Sequence, residues 1–175
     1  MTALRKMLGA WDDAGVQALV AVLETQSKET IARWGIACSR ERYLPVFEAE
    51  VPGDLRPREA LAAAEAWLAR EVRLPAAKPA ILACHAAARE AEGLPAAQAA
   101  ARAIGQAASV IHAPTHCMGL VFYGAAAFAY STHGVSAARE VYDQAAEQEF
   151  GVLLAALTSV AVADEPNPAK LNWRC

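Results

Sequence analysis

Paired cysteines, a basic charge balance and long uncharged apolar runs are all missing from this sequence of 175 residues. Its four cysteines, at positions 38, 84, 117 and 175, are widely spaced and form no Cys-x-x-Cys pair. We therefore expect neither a zinc ribbon nor a thioredoxin-type redox motif. The formal net charge is -3, whereas nucleic-acid-binding domains usually carry a basic stripe. These features predict reduced thiols, a cytoplasmic location and no nucleic-acid partner.

A membrane-spanning segment is also missing. The most apolar block, residues 103–130, is interrupted by a glutamine, a proline and two histidines, whereas a span needs about 20 consecutive apolar residues. The N-terminal segment has a short basic start but no unbroken apolar core before the acidic pair Asp12 and Asp13, so it does not fit a signal peptide. We therefore expect no membrane partner.

Alanine supplies 44 of the 175 residues, and the Val-Ile-Thr alternation typical of strands is almost absent. Alanine is the best helix former because it loses no side-chain entropy in a helix. The composition predicts an all-α fold, arranged as a single compact bundle or array of six to eight antiparallel helices in one domain over 1–175. Within it we expect a helical extension at 1–27, a long helix at 136–162 capped by Ser136, and a solvated tail at 163–175.

Residues 94–130 form the longest apolar stretch and are rich in alanine, glycine and serine. Small side chains let neighbouring backbones approach closely, so we place this stretch at the packing centre of the fold. Pro114 disfavours α-geometry at the residue before it. The stretch is therefore either a helical hairpin or, as we predict for 95–130, a Pro-kinked central helix. Pro45 should likewise bend or split a helix over about 28–49.

His112 and His116 are spaced by four, which would place two imidazoles on one face of a continuous helix, where they could bind a transition metal. A third ligand would be needed, from His85 or a cysteine, and the glutamate of the HExxH metalloprotease motif is missing. Because Pro114 disturbs the spacing, the simpler interpretation is that both histidines bond to backbone carbonyls at a helix interface. We predict no metal or other cofactor and keep the three histidines as candidate binding residues.

A second candidate group consists of Asp54, Arg56 and Arg58 at a predicted helix start. A turn aspartate before a helix can accept backbone N–H groups, and two arginines flanking a proline can hold an anion. The simpler interpretation is that these arginines pair with nearby glutamates, since surface ion pairs are common and weak. Trp34 is a further candidate binding residue, although its spacing of four from Cys38 is most simply explained by core packing.

Five sequence blocks, together with their order along the chain, are informative about the family of the protein. They are WGIACSRERYLPVFE at 34–48, DLRPREA at 54–60, ACHAAARE at 83–90, ARAIGQA at 101–107, and the His112-to-His116 segment followed by Gly119 and Tyr123. In this order they resemble the class-five-like group of bacterial immunity proteins from polymorphic toxin systems, over about residues 30–130. Ala37 stands where the family pattern has an aspartate, and residues 1–27 and the helix after 135 look like additions.

The resemblance implies a compact, all-helical cytoplasmic protein that binds and neutralises a cognate toxin protein. We therefore predict a non-catalytic binding protein, because no Gly-rich phosphate loop and no Ser-His-Asp pattern occurs in the sequence. One alternative is a helical protein, an enzyme included, that binds a small ligand or metal in a pocket formed by Asp54, Arg56 and the three histidines. Another is a homodimer built on the terminal helices.

Overall fold

The computed structural model describes residues 4–173, and its regular structure in this range is entirely helical, which confirms the all-α prediction. A π-helical segment, Ser39–Tyr43, joins the second helix to the third, and a 3-10 turn, Pro114–His116, leads into the seventh. The eight α-helices are α1 (Ala14–Leu23), α2 (Lys28–Cys38), α3 (Leu44–Glu50), α4 (Arg56–Leu68), α5 (Leu74–Glu90), α6 (Pro95–Ser109), α7 (Cys117–His133) and α8 (Arg139–Val160).

The long helical segment that starts at α2 widens into a π-helix just before Pro45. Ser27 caps its start by accepting a hydrogen bond from the Thr30 backbone N–H at 3.3 Å. Pro45 has no N–H to donate to the carbonyl four residues earlier, and the backbone N–H of Leu44 bonds to Ser39 instead. The extra residue in this turn accommodates the proline without ending the helical path, as π-bulges commonly do.

The predicted Pro-kinked helix over 95–130 is wrong, because the chain reverses direction and forms a hairpin of α6 and α7. Ala113, which precedes Pro114, is extended with φ -137° and ψ 117°, as the steric demand of a following proline requires. Arg102 then lies beside Tyr123, and Gln106 beside Gly119. As the residue number increases along α6, the number of the contacting residue on α7 decreases, so the two helices are antiparallel.

Helix α6 is the centre of the fold, as predicted for this stretch. It packs against α5 and α7 on either side and also contacts α3 and α4. Beyond its first residue, it is buried at every position except Gln98, Arg102 and Gln106. The many alanines allow this close packing, since small side chains bring helix axes together. Only one narrow face of α6 is therefore in contact with solvent.

Within the described part of the N-terminal extension, from residue 4 onwards, the first helix begins at Ala14. Before it, Leu8 is fully buried and its N–H donates to the carbonyl of Phe122 at 3.2 Å. Gly9, with φ +93°, takes a left-handed turn that favours glycine. Residues 4–13, which we call the N-terminal strap, therefore pack against α7 without regular secondary structure. The sequence predicted a helix here.

The C-terminal part also differs from expectation at both ends. Helix α8 begins at Arg139, and Ser136 does not cap it, because the Tyr142 hydroxyl orders the preceding turn by donating to Gly134 and accepting from the Ala137 N–H. After α8 the chain is exposed at 166–168, as a solvated tail would be. It then returns to the protein, where the N–H of Ala169 donates to the Gln26 carbonyl at 2.8 Å.

The end of the described chain is fixed by two tryptophans. Trp173 donates its indole N–H to Glu24 at 2.8 Å, and its ring centroid lies 5.4 Å from that of Trp11. The tail therefore joins the N-terminal strap to the end of α1. Cys175 lies outside the described residues. From residue 4 to residue 173, no helix is both long enough and apolar enough to cross a bilayer.

Candidate functional site

The partly exposed face of α6 is the candidate site. Gln98, Arg102 and Gln106 follow one another at intervals of four residues and so lie along one side of the helix; we call them the α6 stripe. Helix α5 borders the stripe on one side, where Gln98 donates to the Ala88 carbonyl at 3.0 Å. Helix α7 borders it on the other, where the guanidinium of Arg102 lies 5.7 Å from the ring centroid of Tyr123.

His85 lies on α5 at the edge of the stripe and is half-buried. Its ring covers Gly105 so closely that a Cβ at that position would lie 2.7 Å from the ring. Its Nε2 is 3.3 Å from the hydroxyl of Ser109, which donates its own hydrogen to the Gly105 carbonyl. Nε2 is therefore the donor to Ser109. Burial, with smaller effects from His116 and Arg89, holds the pKa of His85 below its ordinary value.

His116 lies at the same end of the stripe, in the turn before α7. Its Nδ1 is 2.8 Å from the side-chain oxygen of Gln106, and since an amide oxygen only accepts, Nδ1 carries the hydrogen in this arrangement. Burial first, and then the nearby His112, lowers the pKa of His116. His112 itself is exposed. The structure therefore gathers all three predicted histidines near the end of α6.

A cavity of about 300 Å³ opens beside His116. The α6 stripe contributes Gln106 to its wall, and the N-terminal strap and the tail contribute Trp11 and Trp173. Thr115, Met118 and Asn172 complete the lining. The cavity is thus walled by two indoles and by neutral polar groups, and it is large enough for one side chain but small for a separate ligand.

The histidines do not form a metal site. His116 belongs to a 3-10 turn, and the α-helix starts only at Cys117, so the pair lacks the helical i, i+4 geometry on which the metal alternative depended. Within residues 4–173, no three His, Cys, Asp or Glu side chains are arranged to hold a metal ion.

Asp54, Arg56 and Arg58 form a separate cluster in which the arginines are already paired. Arg56 donates to both oxygens of Asp54, at 2.9 and 2.6 Å, and also to Glu90 at 2.6 Å. Arg58 donates to Glu48 at 2.7 Å. These bonds from Arg56 keep the pKa of Asp54 below its usual range. No ion pair or hydrogen bond among residues 4–173 joins this cluster to the histidines.

Trp34 is a core residue. It is 2% exposed, and its indole N–H donates to the carbonyl of Leu153 in α8 at 3.1 Å. A side chain in this position is enclosed by the core, which favours the core-packing interpretation of Trp34 over a binding role. The thiols of Cys38, Cys84 and Cys117 are also buried and free, and burial raises the pKa of each to about 12. None of these three cysteines is a thiolate nucleophile.

A buried charge cluster escaped the sequence analysis. Glu149 on α8 is 0% exposed, and it accepts hydrogen bonds from Nε and Nη2 of Arg42 and from the hydroxyl of Tyr43. Burial and the neighbouring carboxylate raise the pKa of Tyr43, which keeps its hydroxyl protonated. The signal was present in the sequence, because Glu149 falls on the apolar stripe of α8 between Tyr142, Ala146 and Leu153.

Comparison with known families places this geometry in context. The family described as Imm-5 like putative immunity protein matches residues 21–154. The chain belongs to this family. The match confirms the resemblance drawn from the sequence blocks and extends it to Leu154 in α8, so most of that helix is part of the family domain, and the prediction that it is an addition is wrong. No curated protein and no solved structure matches the chain.

Proposed function

We propose that this protein neutralises a cognate protein toxin by binding it directly, in the cytoplasm and without catalysis of its own. The observation that carries the proposal is its membership of an immunity-protein family over residues 21–154. The proposal is consistent with the state of the described thiols, which are buried and protonated and so are not nucleophiles.

We further propose that the toxin binds on the α6 stripe and on His85 and His116 beside it. The stripe lies on the most enclosed helix of the fold, so its side chains start from fixed positions and lose little freedom on binding. Gln106 and His116 are held by a mutual hydrogen bond, and His85 is held against Gly105. A partner would meet a surface that is already ordered.

The cluster at Asp54, Arg56 and Arg58 is less suited to this role. Each of its arginines would have to give up a carboxylate of the same chain before it could pair with a toxin. Exchanging one exposed ion pair for another contributes little, since such pairs contribute about 0 to 1 kcal/mol. We therefore assign these residues to the stability of the α3–α4–α5 corner.

Co-expression tests the proposal. A candidate toxin domain, selected from the products of genes that neighbour this one, is induced in a sensitive bacterial host, with and without this protein. We expect growth to be restored by the protein, and a tagged toxin to retain it through purification. As a matched control, the same host carries an unrelated toxin, against which no protection is expected. Growth arrest that persists when both partners are produced at equal levels would contradict direct neutralisation.

A further inference from the structure

We propose that the α6 stripe receives an acidic segment of the toxin, and that one large apolar side chain of this segment enters the cavity between Trp11, Trp173 and His116. The inference rests on the proposed function and adds to it the chemical nature of the partner. It follows from two independent features of this surface, its charge and the shape of its end.

The first feature is that the two arginines at the stripe form no ion pair with any acidic side chain of residues 4–173. Within residues 4–173, six arginines form ion pairs, and Arg33, Arg70 and Arg73, which lie away from the stripe in sequence, form none. Arg102 on the stripe, and Arg89 one turn beyond His85 on the adjoining helix, form none within residues 4–173. Arg102 instead rests on the ring of Tyr123, which leaves the planar N–H groups of its guanidinium for another acceptor.

The protein as a whole carries a net charge of -3. Arg89 and Arg102 therefore place two positive charges that form no ion pair within residues 4–173 beside this face of an acidic protein. Guanidinium groups bind carboxylates through two parallel hydrogen bonds, and the charges at an interface complement those of the partner. An acidic segment meets these conditions, and a basic one would be repelled.

The second feature is the cavity of about 300 Å³ at the end of the stripe. Gln106 lines it and lies one turn from Arg102 along α6, a rise of about 6 Å. Residues two apart in an extended chain are separated by a similar distance, about 6 to 7 Å. One extended segment can thus place a carboxylate on Arg102 and a side chain in the cavity.

The walls of the cavity favour an apolar occupant. Trp11 and Trp173 present indole rings, and Met118 lies between the polar residues. Trp11 is 43% exposed before any partner binds, so covering it removes apolar surface from water. Interfaces commonly concentrate their affinity in one such buried anchor, surrounded by polar contacts that exclude water.

Calorimetric titration with the purified toxin domain that the co-expression experiment identifies tests the inference. The variants Arg102→Glu and Gln106→Glu place a negative charge on the stripe, and we expect each to weaken binding at least tenfold. Arg102→Lys keeps the charge and should retain most of the affinity. Arg33→Glu, an equal charge change at an exposed position of α2, is the matched control and should remain within twofold of the unsubstituted protein.

Trp11→Ala tests the anchor separately and should weaken binding at least tenfold. Circular dichroism and the thermal midpoint of each variant confirm that it is folded. If the unsubstituted protein binds the toxin and the three stripe and anchor variants bind equally well, the inference is wrong while the proposed function stands. If the unsubstituted protein does not bind the toxin, the proposed function fails, and the inference fails with it.

Discussion

Arg42 and Glu149 form a two-point ion pair between the π-helical segment and the middle of α8. The carboxylate is entirely buried, whereas the arginine side chain keeps 25% of its surface exposed. Tyr43 adds a third hydrogen bond at 2.7 Å, and the guanidinium also lies 5.6 Å from the ring centroid of Phe128. Three donors and one carboxylate thus fix how α8 lies on the hairpin-centred core.

Replacing Glu149 with glutamine should destabilise the protein by about 3 kcal/mol. The change leaves the charge of Arg42 without its partner in a largely desolvated place, and removing one member of a buried pair is costly for that reason. Urea denaturation followed by circular dichroism gives the free energy of unfolding. Glu147→Gln, two residues earlier and exposed, should change it by less than about 0.5 kcal/mol. Equal effects at both positions would argue against the ion pair.

Gly124 on α7 is expected to tolerate no side chain. A Cβ there would overlap the Tyr43 hydroxyl and lie 2.5 Å from its Cζ, so Gly124→Ala must displace a fully buried ring and disturb its bond to Glu149. We expect a loss of about 1 to 3 kcal/mol in the free energy of unfolding, as for other overpacked cores.

A second glycine provides the matched control. Gly151 lies in α8, is exposed, and would place a Cβ in open space. Gly151→Ala should therefore stabilise the protein by about 0.5 to 1 kcal/mol, because alanine is the better helix former. The two substitutions are chemically identical, so opposite signs in the same urea measurement would isolate the contact with Tyr43. A gain at both sites would show that α7 and the π-helical segment are not packed as described.

The protein should lose stability as the pH falls below about 6.5. The pKa values of His85 and His116 are lowered from 6.5 in the folded state, mainly by burial. The unfolded chain therefore takes up protons first, and the free energy of unfolding decreases with falling pH until the folded histidines are protonated. Asp54 and Glu90, whose pKa values are lowered from 3.8 and 4.5, contribute such a loss only at more acidic pH.

Urea denaturation at pH 7.5 and pH 5.0 checks this prediction. The double substitution His85→Gln and His116→Gln should make the two free energies of unfolding more similar than they are in the unsubstituted protein. His133→Gln, at the exposed end of α7, serves as the control and should leave the difference unchanged. An undiminished difference in the double variant would assign the pH dependence to other groups.

The contact between Trp11 and Trp173 should be measurable as a coupling energy. Their rings are tilted by 54° at a centroid distance of 5.4 Å, and aromatic pairs of this kind contribute about 0.5 to 1.5 kcal/mol. A double-mutant cycle with both tryptophans changed to alanine gives the coupling directly. Zero coupling would mean that the tail does not rest on the N-terminal strap in solution.

The all-helical class and the packing centre of the fold could be predicted from the sequence, because alanine content and apolar spacing determine local secondary structure. The block at 94–130 could be placed at the middle of the fold from its small residues alone. Pro114 was recognised as a disturbance, but whether a proline bends a helix or reverses the chain depends on what the following segment can pack against. Here Gly119 allows Gln106 to lie directly on α7, and that close contact permits the hairpin.

Only part of the candidate site could be predicted from the sequence. His85 and His116 were selected by residue type, and the structure places both beside α6. Arg102 and Gln98 were not selected, because a polar residue on a helix normally indicates only a solvent-exposed face. These two residues become candidates only because the structure buries the rest of α6. The core position of Trp34 depends on a hydrogen bond to the Leu153 carbonyl, 119 residues away in sequence, and no local pattern indicates such a partner.

The decisive measurement is a titration of purified toxin activity with this protein. The toxin domain identified by co-expression is held at a fixed concentration in its own activity assay, and the protein is added in steps. Neutralisation by direct binding predicts that activity falls linearly and reaches zero at a fixed, near-equimolar ratio, without change over time. Activity that persists at excess protein, or that decays progressively at a small fraction of an equivalent, would contradict stoichiometric binding as the function.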